Sequence, residues 1–290
     1  MHIVKYKFII AALIIVMTIT GCNKLTEDEK QKFKEAIINN DRQYIEYILA
    51  KGVDLNDVKT FGYIPLHIAV WQNNRELIQL FLERGANINV LDGWNRNCLF
   101  QTYDIKTVKY LIEHGASVNQ VDKDGNIPLI LYAWHYDLAK LYIEKGANYK
   151  HKNKNGYSLL FETIYKGNYN LLNYLLKNKI ININEVDHEG YNGLFWYLFS
   201  IKRKINEKND NIFGLLLNNK ININHHDNYG DTALHWSIRL KLRKEIIKLL
   251  LDYGAEVNIK NNKGKTPLDI AIEKGDTEII NLLRRYSGKR

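Results

Sequence analysis

The chain has 290 residues, 46% of them hydrophobic, which supports a folded core and excludes a disordered chain. Lys and Arg exceed Asp and Glu by 41 to 32, a formal charge of +9. With two cysteines, Cys22 and Cys98, a disulfide framework is excluded. The positive balance has two readings. One is compositional, since Lys, Asn, Ile and Tyr are abundant throughout, as when a genome is AT-rich. The other is an acidic partner or an anionic membrane surface. No basic run interleaves with a nucleic-acid-binding module, so nucleic acid is not expected.

Residues 1–21 read as an address and not as part of the fold. Lys5 and Lys7 precede an unbroken apolar run from Phe8 to Val16, extended by Met17 to Thr20. The run is shorter than the roughly 20 apolar residues that span a bilayer and has the size of a signal-peptide core. Ile19-Thr20-Gly21-Cys22 then resembles the lipobox of bacterial lipoproteins. That resemblance implies cleavage after Gly21, lipidation of Cys22 and a short tether over 22–26. The alternatives are an ordinary secretory signal or an uncleaved anchor. Each buried methylene contributes about 0.8 kcal/mol, so several acyl chains on one cysteine hold far better than a single one. Loss of Lys5 and Lys7 takes the charge from +9 to +7. The expected location is the bacterial cell envelope, on the periplasmic face or the cell surface. Asn23, where Asp would retain an inner-membrane lipoprotein, implies the outer membrane if the organism has two.

The folded region opens at Thr26-Glu-Asp-Glu29, a capping-box pattern. Ala36, Ile37 and Ile38 are expected to face inward, ahead of a second apolar run, Tyr44 to Leu49. A phrase then begins that returns along the chain. Gly62-Tyr-Ile-Pro-Leu-His-Ile-Ala69 reappears as Gly230-Asp-Thr-Ala-Leu-His-Trp-Ser237 and as Gly264-Lys-Thr-Pro-Leu-Asp-Ile-Ala271. Weaker copies start at Asn95, Gly125, Gly156 and Gly190, so the anchors lie 33, 30, 31, 34, 40 and 34 residues apart. A period near 33 is the mark of a stacked helical repeat. Helical spacing supports this: Leu77, Ile78, Phe81 and Leu82 fall on one face, and Glu245 to Leu251 repeats the pattern.

From about Glu27 to Tyr286 the array resembles ankyrin repeats. The resemblance implies an all-α solenoid of about eight helix-turn-helix units joined by β-hairpin-like loops. The units run over 27–56, 57–89, 90–119, 120–150, 151–184, 185–224, 225–258 and 259–290. Gly-Ala-x-x-Asn closes a unit, as in Gly85-Ala-Asn-Ile-Asn89, and the next anchor lies six positions after each closing residue. That offset makes Asn95, and not Gly93, the third anchor, because Asn tolerates the left-handed backbone of such a turn. Leu66, Leu99, Leu129, Leu160, Leu194, Leu234 and Leu268 share one register and are expected to form a core ladder. The first and last units read as caps. The third unit is too short for a full first helix, and the sixth is long over 201–210, through longer helices or a charged loop.

Little chemistry is visible. His67 and His235 occupy the turn position where the imidazole bonds to the backbone. Asp187-His188-Glu189 and His225-His226-Asp227 have the side chains of a transition-metal site. Asp187 and Asp227, however, share the register of Asp92 and Asp122, which the resemblance makes structural. No nucleophile elbow, phosphate loop or His-Glu-x-x-His segment stands out, so neither a catalytic residue, a metal nor a cofactor is expected. Cys98 reads as a small buried apolar residue.

The resemblance places binding residues on the hairpin tips and the inner face of each first helix. The tips carry Phe61, Tyr63, Trp94, Arg96, Tyr157, Tyr191 and Tyr229. The inner-helix positions carry Trp71, Trp134, His135, Tyr165, Lys166, Phe199 and Arg239. Trp, Tyr and Arg are the residues enriched at interface hot spots. The alternative is that some rings pack between neighbouring tips. The expected function is a lipid-anchored, monomeric module that binds a cell-envelope protein, an acidic one on the second reading of the charge, through its concave face, with no small-molecule substrate. A narrower version is an immunity or inhibitor protein against a secreted toxin or effector. A second class is a binder of anionic lipid or cell-wall polymer, and a third a metal-dependent enzyme.

Overall fold

The computed structural model describes residues 25–57, 62–203 and 210–288. Cys22, Phe61 and most of the 201–210 insertion therefore lie outside the described residues. The chain divides into two compact bodies, Met1–Lys123 and Asp124–Arg290. The first holds α1 (Glu27–Asn39), α2 (Arg42–Ala50), α3 (Pro65–Trp71), α4 (Arg75–Glu83), a 3-10 turn (Cys98–Phe100) and α5 (Ile105–Glu113). The second holds α6 (Pro128–Leu131), α7 (Tyr136–Glu144), α8 (Leu159–Tyr165), α9 (Tyr169–Lys177), α10 (Gly193–Lys202) and α11 (Asp210–Asn218). It continues with α12 (Ala233–Arg239), α13 (Lys244–Asp252), α14 (Pro267–Glu273) and α15 (Thr277–Ser287). Among the described residues the fold is an all-α repeat solenoid, and β-pairing is confined to the isolated bridges Lys152–Ser158 and His226–Thr232 at two hairpin tips.

Local chemistry sets these elements. Pro65, Pro128 and Pro267 open first helices, where a fixed φ helps and the missing N–H is not needed. Second helices begin after a side-chain cap: Asp41, Asn74, Asp104, Asn168 and Asp276 accept the amides of Tyr44, Leu77, Thr107, Leu171 and Ile279. The third anchor is Asn95, at φ 63, while Gly93 is not in the left-handed region. The short third unit replaces its first helix by the 3-10 turn. The long sixth unit extends α10 to ten residues, against seven in α8 and α12.

Leu66, Leu99, Leu129, Leu160, Leu194 and Leu234 are fully buried. Leu268, in the last described unit, is only partly buried. Ile38 also departs from expectation, at 42% exposed. It lies about 100° around the helix from Ile37, which is buried with Phe33 and Ala36. In α4 the buried face is Leu77, Ile78, Leu80 and Phe81, and Leu82 is half-buried.

The closing asparagines clamp one unit to the next. The Asn56 amide donates to Gly85 O at 3.0 Å while its oxygen accepts from Asn87 N at 2.7 Å. Asn89 makes the same pair with Gly115 O and Ser117 N. Asn184 uses Lys220 O and Asn222 N, and Asn224 uses Gly254 O and Glu256 N. All of these partners are main-chain atoms. Lys150 stands at the same register and has no amide to offer.

Candidate protein-interaction site

Five hairpin tips are built on the residue three positions before the anchor. Oδ1 of Asp187 accepts the amides of Glu189 and Tyr191 at 3.0 and 2.8 Å. Asp92, Asn153, Asp227 and Asn261 hold their tips in the same way, at 2.8 to 3.0 Å. The second carboxylate oxygen turns to the residue six positions after the anchor. Asp187 Oδ2 accepts from Trp196 Nε1 at 3.0 Å, and Asp227 Oδ2 from Trp236 Nε1 at 2.7 Å. Asp92 Oδ2 accepts from Gln101 Nε2 at 3.4 Å.

These bonds account for the histidine and aspartate cluster. His225 Nε2 donates to Gly190 O at 2.8 Å, and Asp187 and Asp227 are committed to tips and indoles. Among the described residues no group of three or more His, Cys, Asp or Glu is placed so that it could hold a metal ion. His67 Nε2 donates to Val90 O at 3.2 Å, and burial lowers its pKa to about 4. His235 accepts Thr232 N at 3.0 Å and donates to Lys265 O at 3.1 Å, and burial lowers its pKa too. The Cys98 thiol is buried, and burial pushes its pKa up to about 12, which leaves it unreactive.

In the N-terminal body, Trp71 and Trp94 are 65% and 59% exposed. Trp71, Tyr63, Asp92 and Gln101 border a cleft of about 300 Å³. Tyr63 is half-buried and donates its hydroxyl to Lys30 O at 2.9 Å, so it serves packing more than recognition. Arg96 reaches buried Asp122 at 3.4 Å and lies 5.8 Å from the Trp94 ring, with Lys123 6.0 Å from the same ring. Trp94 is thus an exposed ring flanked by two cations.

In the C-terminal body, Trp134 and Tyr229 are exposed at 46% and 59%. His135, expected to be an inner-helix contact, instead caps α7 by accepting Leu138 N at 3.4 Å, because α6 has already ended at Leu131. Arg239 is committed to Asp231 at 3.0 Å. Lys166 is exposed, its ammonium 5.6 Å from the Tyr165 ring. Tyr157, Tyr165, Tyr191 and Phe199 do not stand as separate exposed rings. They pack edge-on around two tryptophans that the register reading missed. Trp196 lies 4.5 Å from Tyr157, 5.9 Å from Tyr165 and 6.2 Å from Phe199. Trp236 lies 5.3 Å from Phe199 and 5.8 Å from Tyr191. T-shaped pairs of this kind contribute about 0.5–1.5 kcal/mol each beyond their area. The cluster floors a cleft of about 450 Å³ that is also lined by Glu162, Lys202, Arg203 and Leu240.

A family model for ankyrin repeats, written as three copies, matches residues 2–92, 98–187 and 201–289. The chain is 29% identical over 250 residues to an ankyrin repeat domain-containing protein of cowpox virus (strain Brighton Red), covering 82% of this chain and 34% of that protein. It is 24% identical over 269 residues to a putative ankyrin repeat protein of Acanthamoeba polyphaga mimivirus, covering 81% of this chain and 34% of that protein. It is 27% identical over 223 residues to the putative ankyrin repeat protein YahD of Escherichia coli (strain K12), covering 74% of this chain and 92% of that protein. The chain thus spans about a third of the two viral relatives, at 34% of each.

Proposed function

Since the chain belongs to the ankyrin-repeat family, we propose that it is a protein-interaction module of a bacterial cell envelope, held at the membrane by lipidated Cys22. Ankyrin repeats generally mediate protein–protein interaction and are typically not enzymes, and this chain follows that pattern. The observation that carries the reading is the set of large rings left on tips and at or just past the ends of first helices: Trp71, Trp94, Trp134 and Tyr229, each at least 46% exposed. Exposed tryptophan is a hot-spot residue that a monomeric surface otherwise has little use for. Among the described residues no helix is long and apolar enough to cross a membrane. The resemblance of Ile19-Thr20-Gly21-Cys22 to a lipobox is what supports the attachment.

Affinity capture from the cell's own envelope fraction, with wild type and a W71A/W94A/W134A variant side by side, tests the surface. The partner is expected to be lost from the variant while its circular dichroism is unchanged. An unchanged partner set sinks the proposed surface. Fractionation tests the anchor: Cys22→Ser is expected to move the protein from the membrane to the soluble fraction. The charge of +7 that remains after loss of Lys5 and Lys7 from +9 favours a second reading, a binder of anionic lipid or cell-wall polymer. Salt-dependent pelleting of the Cys22→Ser form with anionic vesicles is its signature.

A further inference from the structure

The cleft around Trp196 has a chemical asymmetry that its packing does not use. Units six and seven place an indole six residues after the anchor and bond it to the tip aspartate. In unit five that register holds Glu162, and the tip residue is Asn153, whose amide goes to Asn126 Oδ1 at 2.9 Å. Among the described residues the Glu162 carboxylate accepts no hydrogen bond. It is half-buried on the cleft wall, and burial pushes its pKa up, with Lys166 opposing. A partly desolvated carboxylate without a protein donor leaves lone pairs open to an N–H from outside.

The cleft also carries cations. Lys202 and Arg203 are exposed and line the same cleft, and Arg203 Nη1 donates to the Tyr165 hydroxyl at 3.1 Å. Among the described residues neither forms an ion pair, unlike Arg96 and Arg239, which hold Asp122 and Asp231. Trp196 and Phe199, their ring centroids 6.2 Å apart, line the same cleft and give it an apolar surface.

We propose that this cleft seats an acidic segment of a partner protein. Its apolar side chain lies on Trp196 and Phe199, its carboxylate at Lys202 and Arg203, and a main-chain N–H at Glu162. The inference rests on the protein-interaction reading above and deepens it. A peptide brings all three groups at once. A lipid headgroup or a phosphate polymer also meets the cations but brings no apolar side chain to lie on Trp196 and Phe199 beside them.

Random dodecapeptides displayed on phage and panned on the full chain carrying Cys22→Ser test the inference. The selected peptides are expected to be rich in Asp or Glu beside an aromatic residue or Leu. Their synthetic forms are expected to bind K202A/R203A about tenfold more weakly, chiefly through slower association and a flatter salt dependence. Binding to E162A is expected to weaken without that change in salt dependence. Neutral or basic selected peptides, or acidic ones indifferent to K202A/R203A, overturn the inference. Peptides that instead lose binding to W71A/W94A overturn it while leaving the interaction module standing. A library that yields no binder to any face counts against both readings.

Discussion

Asp187→Asn separates the two roles of one carboxylate. Its Oδ1 holds the tip through Glu189 and Tyr191, and its Oδ2 accepts the Trp196 indole at 3.0 Å. Asn153 and Asn261 hold the same kind of tip with their single oxygen, at 2.9 to 3.0 Å. Asparagine at 187 therefore keeps the tip and turns an NH2 toward the indole N–H, so that two donors face each other. An unmet buried donor costs about 1–3 kcal/mol. Trp196 is half-buried, so water recovers part of this, and the expected loss is about 1–2 kcal/mol. Urea unfolding followed by circular dichroism reads it as a lower midpoint at constant slope. Trp196→Phe removes the donor, and in that background Asp187→Asn is expected to cost less than about 0.5 kcal/mol, a coupling of about 1 kcal/mol. Asp92→Asn is the internal control. Its partner is Gln101, whose amide can turn to present oxygen, so this change is expected to be nearly neutral. If Asp187→Asn costs nothing, or costs the same with Phe at 196, the indole bond carries no stability and the shared register is incidental.

Lys150→Asn is expected to gain about 1 kcal/mol by restoring the clamp, since the offsets of Asn56 to Gly85 and Asn87 place Lys179 O and Ile181 N within its reach; an unchanged urea midpoint would count against it. Gly230→Ala and Gly264→Ala both force a left-handed alanine, at φ 76 and 73, which costs about 1–2 kcal/mol. Only the Gly230 methyl meets the next tip, 2.7 Å from Asn262 N, so its cost is expected to exceed that of Gly264→Ala by about 1–3 kcal/mol; equal losses would mean the tips do not interlock. Burial holds His67 neutral with a pKa of about 4, against 6.5 when unfolded. Its contribution is intact above pH 6.5 and lost as pH falls toward 4, about 3 kcal/mol in all. Burial raises Glu162, Glu185 and Asp187, which act in the opposite sense, so the measure is the difference between wild type and His67→Gln. A difference that stays constant with pH refutes the assignment.

The repeat register carried most of the fold. Asn95 was identifiable as an anchor because the closing-residue offset and its tolerance of positive φ agreed, and the short third unit announced its missing helix. The site was legible only in part. Trp196, Trp236 and Glu162 were passed over because the inner face was read at two register positions, nine and ten after the anchor. The position six after the anchor is one helical turn away on the same face, and the i, i+3 rule points to it. The pairing of Arg96 with Asp122 was not legible, because 26 residues separate them and only stacking brings them together. His135 was misassigned because nothing in the local pattern showed that α6 would stop at Leu131, leaving the imidazole to cap the next helix.

The closing asparagines have a consequence for how such a chain changes over generations. At four junctions the amide grips carbonyl oxygens and amide nitrogens of the following unit, and at Asn224 it also donates to Glu256 Oε1 at 3.1 Å. A joint that reads main chain is blind to the residues on either side of it. Units can then be duplicated, lost or exchanged, and their outward residues rewritten, without refitting the seam. Spacings from 30 to 40 residues within one array are the trace expected of such freedom.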